Sequence, residues 1–363
     1  MKKILVVRRD NIGDLVCTTP ALHALRQQFP DAFIGVLVNS YNAEVVQDNP
    51  DINAIYIYRK AKHYPKAQRW GIYWQTLRLM CELHREKFDV AILAKSSFDK
   101  HGAAFLRWVK PRRLIGFVSP NQSAPLISDP IDQTGNDRLH EVEAVARLLV
   151  PLGITQTAYP LRLTVNHAEA RKQSQYLMGA EQGLPNLTAL PAHPQKKRCL
   201  MHISAREIAR KWPAEKFVVL IRALANEHQV IPLLCWSPGA ANDPKHPGDD
   251  AVAADILAQL VRSQTPVIPL PSATLTELIA ILSLADEVIC IDGGALHLAA
   301  ALGKPIVALF ENRPEKYQRW YPWHARAELV ISPHLAVEAI SVEAVLNAYQ
   351  QLSATPSVRA SVR

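Results

Sequence analysis

The residues best placed to do chemistry lie in one short stretch, residues 288–310. It reads as a buried strand, a tight Asp292-Gly293-Gly294 turn, a short helix and a second buried strand. Glycines let backbone approach a ligand with no Cβ in the way. The helix that follows turns its free N–H groups and positive dipole end toward the turn, an arrangement suited to phosphate. Asp292 and His297 are expected at the same corner, where they can read hydroxyls or further phosphate oxygens. Gly303 stops the helix and Pro305 enforces the stop. The segment points to a phosphorylated ligand at the carboxyl edge of a parallel sheet.

Two further loops carry reactive side chains. The first predicted strand ends in Arg8-Arg9-Asp10-Asn11-Ile12-Gly13-Asp14. In an open parallel sheet such a loop lies where ligands bind. It is not a G-x-G-x-x-G dinucleotide fingerprint, which weighs against a dehydrogenase. Asp14 has two readings: a carboxylate capping the first turn of a helix, or a general base able to take a proton from an acceptor hydroxyl. The matching loop in the second half places Ser204, Arg206, Arg210 and Lys211 between a strand and a helix. Cations there suit a diphosphate through charge and direct hydrogen bonds.

The elements that must position these loops alternate along the chain. Residues 3–8, 32–38, 54–58, 88–93 and 113–117 read as strands, and 18–29, 41–47, 70–86, 100–109 and 140–152 as helices. Residues 159–165 are extended and 167–178 helical. After a proline-rich stretch without periodicity, strands at 198–203, 230–235 and 265–268 alternate with helices at 214–227, 251–261 and 275–285, and a helix at 342–352 follows. This alternation predicts two doubly wound α/β halves, each a parallel sheet with helices on both faces. The expected division is an N-terminal domain over residues 1–180, a linker over 181–197, a second domain over 198–335, a helix over 336–353 and a disordered tail over 354–363. Two such domains facing across a cleft would offer a ligand site between them.

Composition narrows the function classes. Hydrophobic residues make up 48% of the 363, which fits a globular chain. No apolar run approaches the roughly 20 residues of a membrane span, and the first apolar run is too short for a signal peptide. A cytoplasmic location is expected. The five cysteines are scattered and read as buried reduced thiols. The net charge of +8 suggests an anionic partner. Without zinc-finger spacing, RNP-like aromatics or a dense basic block, nucleic acid is not favoured. Basic residues gather at 58–66 and 107–113, either as solvated faces or as anion contacts. The aromatic group Trp70, Tyr73 and Trp74 reads mainly as a buried face of its helix.

Taken in order, Asn11-Ile12-Gly13-Asp14 before Thr18-Thr19-Pro20-Ala21-Leu22, Lys211-Trp212-Pro213, and Asp292-Gly293-Gly294 through His297 to Pro305 resemble the heptosyltransferases of glycosyltransferase family 9. The likeness runs from residue 3 to about 350, with further landmarks at 88–93, 113–117 and 140–143. The chain departs from the family pattern in reading Glu311-Asn312 where a glycine is usual, and in a 236–244 loop without the customary glutamate, for which Asn242 or Asp243 would substitute.

The resemblance implies a GT-B fold of two Rossmann-like doubly wound parallel-sheet domains. It implies an inverting transfer of heptose from ADP-heptose to a sugar hydroxyl of the lipopolysaccharide inner core, with no cofactor and no essential metal. Asp14 then matches the base, and Lys211 the lysine on the donor diphosphate. Ser204, Arg206, Asp292, Gly293, Gly294 and His297 would form the donor site, and Asn11, Gly13, Lys60 and Lys62 the acceptor side. The expected partners are a nucleotide sugar and the lipopolysaccharide core–lipid A acceptor, with peripheral contact to the inner membrane and the protein itself a monomer. A transferase of another nucleotide sugar, a sugar-nucleotide epimerase and a non-catalytic sugar-nucleotide binder are the competing readings.

Overall fold

The computed structural model describes residues 1–61, 64–120, 124–155, 159–183, 196–228, 230–243 and 247–354. The chain divides after Thr164 into two compact units. The first holds the parallel strands β1 (Lys3–Arg8), β2 (Phe33–Asn39), β3 (Ala54–Tyr58), β4 (Val90–Leu93), β5 (Arg113–Val118) and β6 (Asp129–Asp132). Their order is β3-β2-β1-β4-β5-β6. The chain winds outward from β1 in one direction, then returns to start again beside it with β4. The crevice at the carboxyl ends of β1 and β4 is therefore the switch point at which such sheets bind ligands.

Helices α1 (Ile12–Val16), α2 (Thr19–Gln28), α3 (Arg69–Glu86), α4 (Lys100–Val109) and α5 (Glu141–Ala146) complete this unit. Apolar spacing sets how α3 docks. Ile72, Leu79 and Leu83 face the core, where Leu83 meets a cluster that includes Phe88, Ala91 and Leu106. Trp70, Tyr73 and Trp74 do not join it: they are 76%, 56% and 68% exposed, so the expected buried aromatic face is solvent-facing. The helix expected over 140–152 is α5 followed by a 3-10 segment, Arg147–Leu152. Pro151 inside that segment has no N–H to continue the α-helical pattern.

The second unit repeats the plan. Strands β7 (Arg198–His202), β8 (Ile231–Trp236), β9 (Ile268–Pro271), β10 (Glu287–Ile291), β11 (Ile306–Phe310) and β12 (Ala327–Ile331) are all parallel, in the order β12-β11-β10-β7-β8-β9. Its switch point lies between β7 and β10. Helices α6 (His167–Gln182), α7 (Ala214–Asn226), α8 (Asp250–Arg262), α9 (Leu275–Leu284), α10 (Gly294–Ala301), α11 (Pro314–Trp320) and α12 (Val342–Ala354) cover the sheet. Strand β9 forms three residues later than expected. It is an edge strand whose alternate prolines, Pro269 and Pro271, need no ladder partner on the outer side.

The division after Thr164 corrects the boundary expected at 180. That position falls inside α6, whose partners belong to the second unit. Tyr176 Oη donates to Pro269 O at 3.3 Å, and Arg198 Nε lies 2.8 Å from Glu181 Oε1. Most of the expected linker, and all of the tail beyond 354, lie outside the described residues. Cys17, Cys199, Cys235 and Cys290 are buried as expected, while Cys81 on α3 is exposed. Trp212 ties the loop before α7 to the chain entering α12: its indole N–H donates to Ile340 O at 3.0 Å, and its ring meets Phe217 edge-on. Replacing Trp212 with Phe removes one of two donors on the Ile340 carbonyl, the other being Lys216 Nζ at 2.8 Å, and chemical denaturation should show a loss of about 0.5–1.5 kcal/mol.

Candidate functional site

In the first unit, Arg8 ends β1 as a fully buried guanidinium. It donates to Ala94 O just beyond β4, to Asp14 Oδ1 and, at 2.8 Å, to Glu141 Oε1, and its Nε lies 3.5 Å from Asp10. One cation thus ties together the loops after β1 and β4 and the start of α5. Burial works against its charge, but Glu141, Asp14 and Asp10 outweigh that and raise its pKa.

Asp14 sits in the first turn of α1, a helix that sequence periodicity did not reveal. Its other carboxylate oxygen accepts the Asn11 N–H at 3.1 Å. Asp14 therefore caps α1, the first of its two sequence readings, and does so at the switch point of the sheet. Burial alone would raise its pKa. The charge of Arg8 and the hydrogen bonds from Arg8 and Asn11 reverse this and hold it below its ordinary value. Asp14 is thus ionised at neutral pH.

The loop around it is fixed from the neighbouring strand. Asn39 donates to Arg9 O, Tyr41 to Asp10 O, and Asn42 to Asp10 O at 3.1 Å. Lys60 lies 5.7 Å over the Tyr41 ring, at the edge of this loop. Asn11 is exposed, Gly13 is buried within α1, and Lys62 lies outside the described residues.

In the second unit the turn after β10 forms as expected. Asp292 is buried, and α10 starts at Gly294. Gly293 is extended, so its backbone angles do not demand glycine. A Cβ there would meet only Ile291 O, at 3.8 Å, so the protein's own packing does not demand one either. The space beside Gly293 is open to a ligand. His297 is buried, with its ring edge-on to Trp320 at 5.7 Å.

The cation facing this turn is Arg210. Its Nη1 lies 3.4 Å from Asp292, and its other nitrogens 3.5 Å from Glu311 and from Glu207. Its Nε is buried without a hydrogen bond. Lys211 holds Asp249 at 2.9 Å. Ser204 Oγ accepts the Ser237 N–H at 2.8 Å and so joins the loops after β7 and β8. Arg206 is exposed and makes no hydrogen bond or ion pair with the described residues. Adjacent chain positions point in different directions here because the short 3-10 turn Ile208–Arg210 ends between them.

Contacts join the two ends of the segment between β8 and α8. Trp236 Nε1 and the Gly239 N–H donate to the two Asp250 oxygens at 2.7 and 2.8 Å. A Cβ on Gly248 would stand 2.4 Å from the Gly239 backbone, so that crossing requires glycine.

Burial pushes Asp292 up to about 6; Arg210 and Lys316 pull it down, while Glu311 and Glu207 push it up. Glu311, which stands where a glycine was expected, thus has a direct effect on the turn. His202, at the end of β7, is pushed down to about 4 by burial and is neutral at pH 7. Sequence reasoning singled out Asp14 and Asp292. It gave no role to Arg8 or Glu141, and of the two adjacent cations Arg210 and Lys211 the structure sets Arg210 beside Asp292 and Lys211 beside Asp249. The signal for Arg8 and Glu141 was a charge inside or beside an apolar run, which only a buried partner can balance.

Two six-stranded parallel sheets, each with helices on its faces, give the GT-B fold. The family model for glycosyltransferase family 9 (heptosyltransferase) matches residues 76–347, and the chain belongs to that family. Lipopolysaccharide heptosyltransferase 3 of Escherichia coli is 27% identical over 328 residues, covering 86% of this chain and 83% of that protein. A family 9 glycosyltransferase from Veillonella parvula DSM 2008 has the same fold, with a TM-score of 0.79 at 18% identity over 97% of each chain. The E. coli heptosyltransferase WaaC with ADP-2-deoxy-2-fluoro heptose gives a TM-score of 0.71 at 18% identity, covering 96% of this chain and 99% of that one.

Two stability measurements follow. Arg8→Met leaves Glu141 buried without its cation and should lower unfolding free energy by about 3–5 kcal/mol in denaturant titrations. For Asp292, the folded protein holds a proton that the unfolded chain releases from about pH 4 upward, so stability falls as pH rises toward the folded value of about 6. Asp292→Asn removes that dependence. Thermal melts should show the variant gaining up to roughly 3 kcal/mol on wild type between about pH 4 and pH 7.

Proposed function

We propose that this glycosyltransferase moves a heptose from ADP-heptose to a sugar hydroxyl of the lipopolysaccharide inner core, with inversion and without a metal. The observation that carries the reading is the turn after β10. An open, Cβ-free backbone at Gly293 leads into α10, and Arg210 stands 3.4 Å from Asp292 beside it. That is a seat for a sugar-nucleotide diphosphate. WaaC, which shares this fold, has been solved with an ADP-heptose analogue.

In the proposed reaction the acceptor oxygen attacks the anomeric carbon from the face opposite the diphosphate. The new carbon–oxygen bond forms as the carbon–diphosphate bond breaks. The hydroxyl proton passes to Asp14, and ADP leaves with the bonding electrons. Asp14 is available as the base because Arg8 keeps it ionised, so the carboxylate oxygen is free of a proton when the hydroxyl arrives. Arg210 and the α10 N-terminus face the charge that grows on the departing diphosphate. Lys211 supports them by fixing Asp249 and the loop after β8. An Asp292 held near 6 keeps its proton more readily than an ordinary aspartate and can then donate a hydrogen bond to a phosphate oxygen that an ionised carboxylate would repel. Asn11 and Lys60 stand on the acceptor side of Asp14.

The test is product mass from ADP-heptose and other nucleotide sugars with truncated lipopolysaccharide acceptors. Asp14→Asn should lower transfer by about 10²–10⁴-fold while calorimetric donor binding persists. Arg210→Ala should weaken donor binding. Full transfer by the Asp14 variant would remove the base. Turnover of the nucleotide sugar with no acceptor would make the protein an epimerase, and binding without product under every acceptor would make it a non-catalytic binder.

A further inference from the structure

Helix α3 has two apolar faces, and the core uses only one. With about 3.6 residues per turn, Ile72, Leu79 and Leu83 form the inward face. Trp70, Tyr73, Trp74 and Leu77 are spaced i, i+3, i+4 and i+7 and form a stripe on the opposite side. All four are exposed, from 48% at Leu77 to 76% at Trp70. A continuous stripe of this size is uncommon on a monomer surface and marks an interaction site.

Charge identifies what the stripe meets. Residues 52–81 contain Arg59, Lys60, Lys62, Lys66, Arg69 and Arg78, and no Asp or Glu. Several of these cations lie against α3: Arg59 donates to Gln75 at 3.3 Å, Arg69 Nε to Tyr64 O at 3.1 Å, and Arg78 is exposed on the helix itself. The neighbouring α4 repeats the pattern. Trp108 is 67% exposed, and no acid occurs between residues 100 and 128. A second copy pairing through α3 would bring these cations face to face. Tryptophan and tyrosine flanked by cations match the headgroup layer of an anionic bilayer, where the rings enter the interface and the charges meet phosphates. Among the described residues, no helix is long and apolar enough to cross a membrane.

We propose that the outer face of α3 docks the enzyme on an anionic phospholipid surface, with the Trp70–Leu77 stripe inserted at headgroup depth. This deepens the proposed transfer and rests on it for its purpose, because a lipid-anchored acceptor presents its sugars at such a surface.

The test uses the full chain and sedimentation with vesicles of phosphatidylcholine, alone or mixed with phosphatidylglycerol. Wild type should sediment with the mixed vesicles, less so at raised salt, and little with phosphatidylcholine alone. A Trp70→Ser/Trp74→Ser double variant should partition at least about tenfold more weakly. Its melting temperature should be unchanged, and so should its transfer to a short, water-soluble acceptor. Equal partitioning of variant and wild type, or equal binding to neutral and anionic vesicles, would overturn the proposal. So would self-association of the wild type that the double variant loses, without vesicle binding. Vesicle binding with no transfer would leave the docking surface standing and remove the transferase reading; transfer without vesicle binding would do the reverse.

Discussion

The reversal of strand order in each sheet governs where everything else can go. Once β1 and β4 in one unit, and β7 and β10 in the other, begin chains that wind in opposite directions, their carboxyl ends must diverge and leave a crevice. Each crevice is organised by an arginine among carboxylates. Arg8 answers to Asp14, Glu141 and Asp10; Arg210 answers to Asp292, Glu311 and Glu207. The two differ in how firmly they are held. Arg8 is fully buried and hydrogen-bonded to two carboxylates and a carbonyl, whereas Arg210 keeps three carboxylates at 3.4–3.5 Å and retains some exposure. The first arrangement fixes a carboxylate. The second leaves a cation able to exchange its partners for an incoming anion.

The same logic sets the two aspartates apart. Asp14 has a full cation and a backbone N–H on its oxygens and is stabilised as the anion. Asp292 is buried beside other acids, and its anion is disfavoured. Two residues of one type thus carry opposite tendencies, one to stay ionised and one to hold a proton. The difference comes from their neighbours rather than from their exposure, since both are largely withdrawn from water.

Much of this was legible in the sequence. Continuous apolar runs located nearly every central strand, because a strand covered on both faces has no polar side. The turn at 292–294 announced itself through its glycines. What escaped were elements without such a run: α1 is one short turn and a half around Asp14, β6 is a polar edge strand, and β12 is half-exposed. Arg8 and Glu141 are separated along the chain by all of α1 to α4, and only the folded sheet brings their charges together. Arg210 and Lys211 take different partners, Asp292 and Asp249, because adjacent residues after a 3-10 turn point in directions that residue type does not encode. The aromatic stripe of α3 misled for a simpler reason: spacing shows that residues share a face but not which face the core claims.

The open space beside Gly293 separates two pressures that most positions feel together. At Gly248 a side chain would collide with the Gly239 backbone, so folding itself guards that glycine. At Gly293 no strained backbone angle and no close neighbour does so. Folding therefore leaves that position free to be chosen by whatever lies outside the chain, as it does not at Gly248.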